Sequence, residues 1–156
     1  MDCQATGINN SGSFPFGSRT SYGVEGFDAA LMHTQVFYDY GSQYQFADYS
    51  NPLERMTIDA NKNTCTFKGS QTVTITNASA TFTAPYNMII GTIYQGGTIL
   101  VDTGWIGYIY SCQIYDNGTL IRDYIPMLDS NNIPCLYDKI NDKYYYNQGT
   151  GSFTYS

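Results

Sequence analysis

Paired acidic side chains are the simplest machinery for hydrolysis, and this chain offers few of them. Its only two glutamates, Glu25 and Glu54, have no acidic residue two or four positions away. Asp39 and Asp48, within one tyrosine-rich segment, are the aspartate pair to compare with the two carboxylates of a glycoside hydrolase. Solvated aspartates at the edge of a sheet explain the same pair equally well. We therefore predict that the protein is not an enzyme.

Histidine chemistry is equally sparse. His33 is the only histidine, and neither a serine nor a cysteine nucleophile can be placed beside it from spacing alone. A single histidine in a strand is more often structural than catalytic. The sequence gives no catalytic residue.

One loop, Asp129-Ser130-Asn131-Asn132, gathers hard oxygen ligands. Calcium prefers carboxylate and amide oxygens, so Asp129, Asn131 and Asn132 are the candidate metal ligands. The same run is also ordinary turn chemistry. We expect no cofactor, with calcium in this loop as the alternative.

The aromatic residues are the remaining candidates for a binding site, because sixteen of the 156 residues are tyrosines. A sugar presents flat C–H faces and many hydroxyl groups, so a surface that binds it needs aromatic rings beside carboxylates and amides. Clusters of surface aromatics indicate protein interfaces as well. The candidate ligand-binding residues are Trp105, Tyr38, Tyr40, Tyr44, Tyr49, Asp39 and Asp48.

The elements that must position these residues are strands, since apolar residues recur with a period of two and no window keeps a helical period. Turn residues separate the strands, and Asn117-Gly118 predicts a type I′ hairpin turn. Further hairpins are expected at Gly41-Ser42, Ala60–Lys62, Gly96-Gly97 and Asn141-Asp142. The pattern predicts an all-β antiparallel sandwich forming a single domain over residues 1–156.

Charge and apolar content exclude several partners. Seven basic residues against thirteen acidic ones give a net charge of −6, so we expect no nucleic-acid partner. No apolar run is long enough to span a bilayer, and Met1–Thr6 lacks the basic and apolar regions of a secretory signal. The four cysteines are widely spaced, which favours buried free thiols.

The C-terminal third resembles a known series of strands, carried by Ile109–Gly118, Leu120–Pro126, Leu136–Asp138 and Tyr144–Phe153. It is similar to the closing strands of concanavalin A-like, LamG-type jelly-roll domains of gut bacterial surface proteins and of phage tail or virion proteins. Thr57–Asp59, Asn61–Asn63 and Thr81-Phe82 before Tyr86-Asn87 resemble the central strands. The resemblance implies a concanavalin A-like jelly roll and, in some members, a calcium site at its rim. The lack of a secretory signal in Met1–Thr6 predicts a location in the cytoplasm of the producing cell or in a virion.

Two features depart from that family. Its members usually begin with one more strand than Met1–Thr6 supplies, which would leave an open sheet edge and favour a homo-oligomer through that edge. Cys135, after Pro134, stands where a glycine commonly precedes Leu-Tyr-Asp.

These observations favour a non-enzymatic module, encoded by a phage or a gut bacterium, that recognises a carbohydrate or a cell-surface partner. One alternative is a small acidic intracellular inhibitor that binds a host protein, as phage anti-defence proteins do, because a charge of −6 can compete for a basic surface. A structural or oligomerisation module is the other.

Overall fold

The structure is a computed structural model that describes residues 1–78, 80–149 and 151–155. The chain divides into two compact units, one of Cys3–Tyr108 and one of Met1–Asp2 together with the chain from Ile109 onwards. Each unit is built from strands, and the described residues contain no α-helix, only one 3₁₀ turn at Val101–Thr103. Among them no helix is long and apolar enough to cross a membrane. The all-β fold class is therefore confirmed.

Fifteen strands span the described residues. They are β1 (Asp2–Gly7), β2 (Ser13–Arg19), β3 (Gly26–Leu31), β4 (Gln35–Gly41), β5 (Gln43–Asp48), β6 (Arg55–Asn61), β7 (Thr64–Lys68), β8 (Thr72–Thr76), β9 (Ile89–Ile90), β10 (Tyr94–Gln95), β11 (Thr98–Ile99), β12 (Ile106–Asp116), β13 (Thr119–Leu128), β14 (Pro134–Asp138) and β15 (Lys143–Tyr145).

The larger unit is a β-sandwich. One sheet has the order β11-β10-β2-β3-β4-β5, with β9 paired to β2, and the other contains β1-β6-β7-β8. Alternation along each strand sends one set of side chains between the sheets. Tyr38 of β4 shows this packing, since its hydroxyl donates a 2.5 Å hydrogen bond to the carbonyl of Lys62 at the end of β6. Apolar side chains fill the interior, among them Val36, Ile58, Phe67 and Ile75.

The N-terminal strand is an interior strand rather than an edge. In the strand order β1 lies between β6 and the beginning of β12, and Gly107 lies against the backbone of Gln4 and Ala5. The edge strands of the sheets in this unit are β5, β8 and β11. An open edge at β1, the expected consequence of a missing first strand, is therefore not observed, because neighbouring strands cover both of its sides.

The smaller unit contains the antiparallel strands β12, β13, β14 and β15 in that order. Asn117 and Gly118 between β12 and β13 have φ values of 46° and 82°, as the predicted type I′ turn requires. Strand β14 ends at Asp138, before the predicted turn at Asn141-Asp142. The Asp138 carboxylate explains the early end, since it accepts hydrogen bonds from Ile140 N and Asn141 Nδ2 and so closes the turn.

Most of the predicted hairpins are confirmed. Gly41 has φ 65° between β4 and β5, and β6 pairs with β7 as expected. The predicted turn at Gly96-Gly97 joins the short strands β10 and β11, and Gly91, with φ 90°, separates β9 from β10. All four cysteines are buried free thiols, as predicted.

Candidate functional site

A cluster of buried charges lies on the outer face of the β2–β5 sheet, opposite the sandwich interior. Arg19 Nη1 contacts Asp28 Oδ1 at 3.1 Å, and both side chains are at most 1% exposed. Arg19 Nε also donates to Gln95 Oε1 at 2.7 Å. Asp39, itself fully buried, is the direct cross-strand partner of Asp28. One arginine and two carboxyl groups are thus held together out of water.

Two glycines leave the space that these carboxyl groups occupy. A Cβ added to Gly17 would lie 2.6 Å from Asp28 Cβ, and one added to Gly26 would overlap the carboxylate of Asp39. Because a real Cβ does not approach other atoms so closely, any larger residue would displace the acids. Because neither glycine has a side chain, the carboxyl groups of Asp28 and Asp39 have room on this face of the sheet.

Each buried acid has one oxygen without a partner among the described residues. Asp39 Oδ2 accepts a 3.0 Å hydrogen bond from Gly23 N, but Asp39 Oδ1 and Asp28 Oδ2 accept none. Burial raises the pKa of Asp39 to about 6, against the opposing effects of the Gly23 hydrogen bond and of Arg19. Burial also raises the pKa of Asp28 well above its usual range, because desolvation outweighs the attraction of Arg19 and the neighbouring Asp39 adds to the shift.

Three aromatic side chains, Tyr22, Tyr44 and Phe46, form an exposed surface above this cluster, named here the aromatic patch. Their exposed fractions are 45%, 45% and 46%. Ring centroids lie 5.7 Å apart for Tyr22 and Tyr44, and 6.1 Å apart for Tyr44 and Phe46. The three rings therefore form one continuous apolar surface that is open to solvent.

The aromatic patch is held from below. Buried Phe37 contacts all three rings, with centroid separations of 5.8 Å to Tyr22, 5.8 Å to Tyr44 and 5.0 Å to Phe46. The Arg19 guanidinium lies 3.6 Å from the ring centre of Tyr22, which is a close cation–π contact. Because these contacts come from buried residues, the ring positions are fixed in the folded protein.

Polar groups surround the aromatic patch. Asp48 accepts a 3.0 Å hydrogen bond from Gln35 Nε2 across β4 and β5. Glu25, in the loop that carries Tyr22, accepts a 2.7 Å hydrogen bond from Thr20 Oγ1. That loop is closed by pairing of Ser21 with Val24. Asp48 thus shares the face of β5 that carries Tyr44 and Phe46, and Glu25 adds a second exposed carboxylate in the loop that carries Tyr22.

Three of the seven predicted ligand-binding residues lie on this face, namely Tyr44, Asp39 and Asp48. Tyr44 belongs to the patch and exposed Asp48 to its rim, whereas Asp39 lies beneath. Asp39 and Asp48 pair with Tyr44 and Gln35 respectively, so four residues of β4, roughly 13 Å, separate them. The two acids are therefore not neighbours on the sheet.

The other four predicted residues lie elsewhere in the larger unit. Tyr38 and Tyr40 point to the opposite face of β4, where the Tyr40 hydroxyl donates to the Ala80 carbonyl. Tyr49 is fully buried, and its hydroxyl donates to Glu54 Oε1 at 2.8 Å. Trp105 is half-buried, with a buried Nε1 that has no partner among the described residues. A tyrosine-rich hairpin has two faces, and only one of them is open to a ligand.

Sequence reasoning missed Tyr22, Phe46 and Arg19. Phe46 could have been found, because it follows Tyr44 by two residues and so shares its face. Tyr22 lies in a loop and Arg19 at the end of a buried strand, and no local pattern reveals that they stack on one another.

The candidate calcium loop belongs to the smaller unit. Asp129 Oδ1 accepts hydrogen bonds from Asn131 N and Ile133 N, at 2.8 and 2.9 Å, and Oδ2 accepts one from the Tyr146 hydroxyl at 2.9 Å. Asn132 has φ 61°, and both asparagines are exposed. Within the described part of the chain, no three His, Cys, Asp or Glu side chains gather as a metal site would require. The loop is an Asx turn whose acid already has hydrogen-bond donors.

Comparison with protein-family models, with curated proteins and with solved structures gives no match to this chain. The geometry of its own residues is therefore the basis for a functional argument.

Proposed function

We propose that this protein is a non-enzymatic binding module that recognises a carbohydrate through the aromatic patch. The observation that carries the proposal is the continuous row of three half-exposed rings, Tyr22, Tyr44 and Phe46, fixed by buried residues. The similarity of the C-terminal third to LamG-type jelly rolls supports a binding role by analogy alone.

The chemistry of the patch suits a sugar. The C–H groups on one face of a pyranose ring are apolar and can lie on an aromatic ring, while the hydroxyl groups at its edge exchange hydrogen bonds with carboxylates and amides. Asp48 and Gln35 supply such groups on one side of the patch, and Glu25 lies in the loop on the other. The surface therefore offers both kinds of contact to one ligand.

Rigidity adds to the affinity that a shallow surface can reach. Ordering flexible side chains on binding costs about 0.5–1.5 kcal/mol for each one. Phe37 and Arg19 hold the rings in place before any ligand arrives, so that cost is already met by folding.

The test is a glycan array followed by titration calorimetry on the best ligand. Tyr44→Ala should weaken binding at least tenfold, because it removes the central ring of the patch, while the melting temperature changes little at this exposed position. Tyr115→Ala removes a tyrosine that is 57% exposed in the smaller unit and serves as the matched control.

Equal losses of affinity in both variants would contradict the proposal. An array without saturable binding, from a protein shown to be folded, would also overturn it and would favour a protein partner at the same surface.

A further inference from the structure

The charges around the aromatic patch are strongly biased. Strands β2 to β5 contain one cation, Arg19, against three acids, Asp28, Asp39 and Asp48. Glu25 adds a fourth acid in the loop that carries Tyr22. Arg19 is buried and already paired, so these elements present no free cation to a ligand on the patch.

The buried charges beneath the rings add no comparable bias. Asp28 Oδ2 and Asp39 Oδ1 are fully buried and have no hydrogen-bond donor among the described residues. The same cluster holds the Arg19 guanidinium, which is paired with Asp28 and lies 3.6 Å from the ring centre of Tyr22. The negative bias that a ligand meets therefore comes from the exposed carboxylates of Asp48 and Glu25.

Aromatic rings reinforce the preference. The face of a tyrosine or phenylalanine ring attracts a cation, by about 0.5–1 kcal/mol at an exposed site. The contact of Arg19 with the inner side of Tyr22, at 3.6 Å, is an instance within this protein. Outward ring surface and rim carboxylates favour the same sign of charge on a ligand.

We propose that the aromatic patch selects sugars that carry a protonated amine over neutral sugars, and that it rejects sugars that carry carboxylate or sulfate groups. This inference rests on the proposed function. The ring faces bind the C–H face of the sugar, and the ammonium group lies toward the carboxylates of Asp48 or Glu25.

The experiment compares four probes of equal length at pH 6 by titration calorimetry. They are a glucosamine hexamer, an N-acetylglucosamine hexamer, a galacturonic acid hexamer and hexalysine. The expected result is binding of the glucosamine hexamer at least tenfold tighter than of the N-acetylated hexamer, with no measurable binding of the acidic hexamer. The difference should shrink when sodium chloride is raised from 20 to 300 mM.

Variants assign the selectivity to this surface. Glu25→Gln combined with Asp48→Asn should reduce the preference for the glucosamine hexamer over the N-acetylated hexamer at least threefold, because the amides keep polar groups at both positions but remove both negative charges. Asp59→Asn combined with Asp116→Asn makes the same change in net charge at exposed positions of β6 and β12, and it should leave the preference intact.

The other possible results distinguish failure of the charge selectivity from failure of the carbohydrate proposal. Equal binding of the amine and N-acetyl hexamers would overturn the charge selectivity and leave the carbohydrate proposal standing. Hexalysine binding as tightly as the glucosamine hexamer would overturn the amino-sugar assignment and favour a basic protein segment. Failure of every sugar here and on the array would overturn both proposals.

Discussion

Asp39 shows how a single buried acid can lower the stability of the folded protein. Its carboxyl group is buried on the outer face of the sheet, and one oxygen has no partner among the described residues. Burial raises its pKa to about 6, above the ordinary 3.8. The folded protein therefore binds a proton more tightly at this residue than the unfolded chain does, and stability falls as pH rises between these two values.

Replacing Asp39 with Asn should remove this penalty. At pH 8 we expect Asp39→Asn to raise the free energy of unfolding by about 1–3 kcal/mol, because the amide needs no proton and its oxygen still accepts from Gly23 N. At pH 4 and below, where Asp39 is protonated in the folded protein, the difference should disappear. Chemical denaturation between pH 4 and pH 8 measures this dependence.

Exposed Asp48 provides the control, since Asp48→Asn should change stability by no more than about 0.5 kcal/mol. A loss of stability in Asp39→Asn at pH 8 would show that the negative charge itself supports the Arg19 cluster.

At the scale of elements, the approach of β12 to β1 depends on one glycine. Gly107 has φ 153°, and an added Cβ would overlap the carbonyl oxygen of Gln4 and lie 2.8 Å from the Cα of Ala5. Both obstacles are backbone atoms, so no side chain can move aside to relieve the overlap. The two strands can lie side by side only because this residue has no side chain.

Gly107→Ala should therefore destabilise the protein by about 2–4 kcal/mol. Gly97→Ala is the matched control, because Gly97 also has a positive φ of 92° but nothing lies within 4 Å of an added Cβ. It should cost about 1 kcal/mol from backbone conformation alone. Similar melting temperatures for the two variants would contradict the close approach of β1 and β12.

In the β4–β5 hairpin, successive side chains of one strand pack on opposite faces of the sheet. Tyr38 of β4 points into the sandwich, while Phe37 beside it supports the aromatic patch. Phe37→Ala should cost about 3–5 kcal/mol of stability, because Phe37 is fully buried. Phe46→Ala, at its exposed cross-strand partner, should leave stability within about 1 kcal/mol and weaken ligand binding. Thermal denaturation and ligand titration of both variants distinguish a residue that supports the aromatic patch from one that contacts the ligand.

At the scale of the whole molecule, its four cysteines report on folding in both units. Cys3 and Cys65 belong to the larger unit, Cys112 and Cys135 to the smaller one, and all are buried thiols. Burial raises the pKa of Cys112 to about 11 and raises that of Cys65 further. Neither forms the reactive thiolate at neutral pH.

A thiol reagent should accordingly find four free thiols in denaturant and none that react rapidly in the native protein. A count of zero in denaturant would mean two disulfides. Rapid reaction of two native thiols, assigned by mass spectrometry to one unit, would show that this unit opens independently.

The sequence by itself determined the strands, most of the turns and the state of the cysteines. These features depend on neighbouring residues, since alternation assigns faces and asparagine or glycine supplies the positive φ at a turn, as at Asn117 and Gly118. The expectation of no nucleic-acid partner likewise rests on the count of charges, and it stays a prediction.

Only the tertiary structure decided which aromatic residues lie together on an exposed surface. Tyr38 and Tyr44 occur in the same tyrosine-rich hairpin, yet one is buried and the other is half-exposed, because only one face of the hairpin packs on the second sheet. Arg19, Tyr22 and Phe37 meet through strand pairing and a loop conformation that no local pattern encodes. Pairing between strands depends on contacts distant in sequence, and the aromatic patch with its buried charges is a product of that pairing.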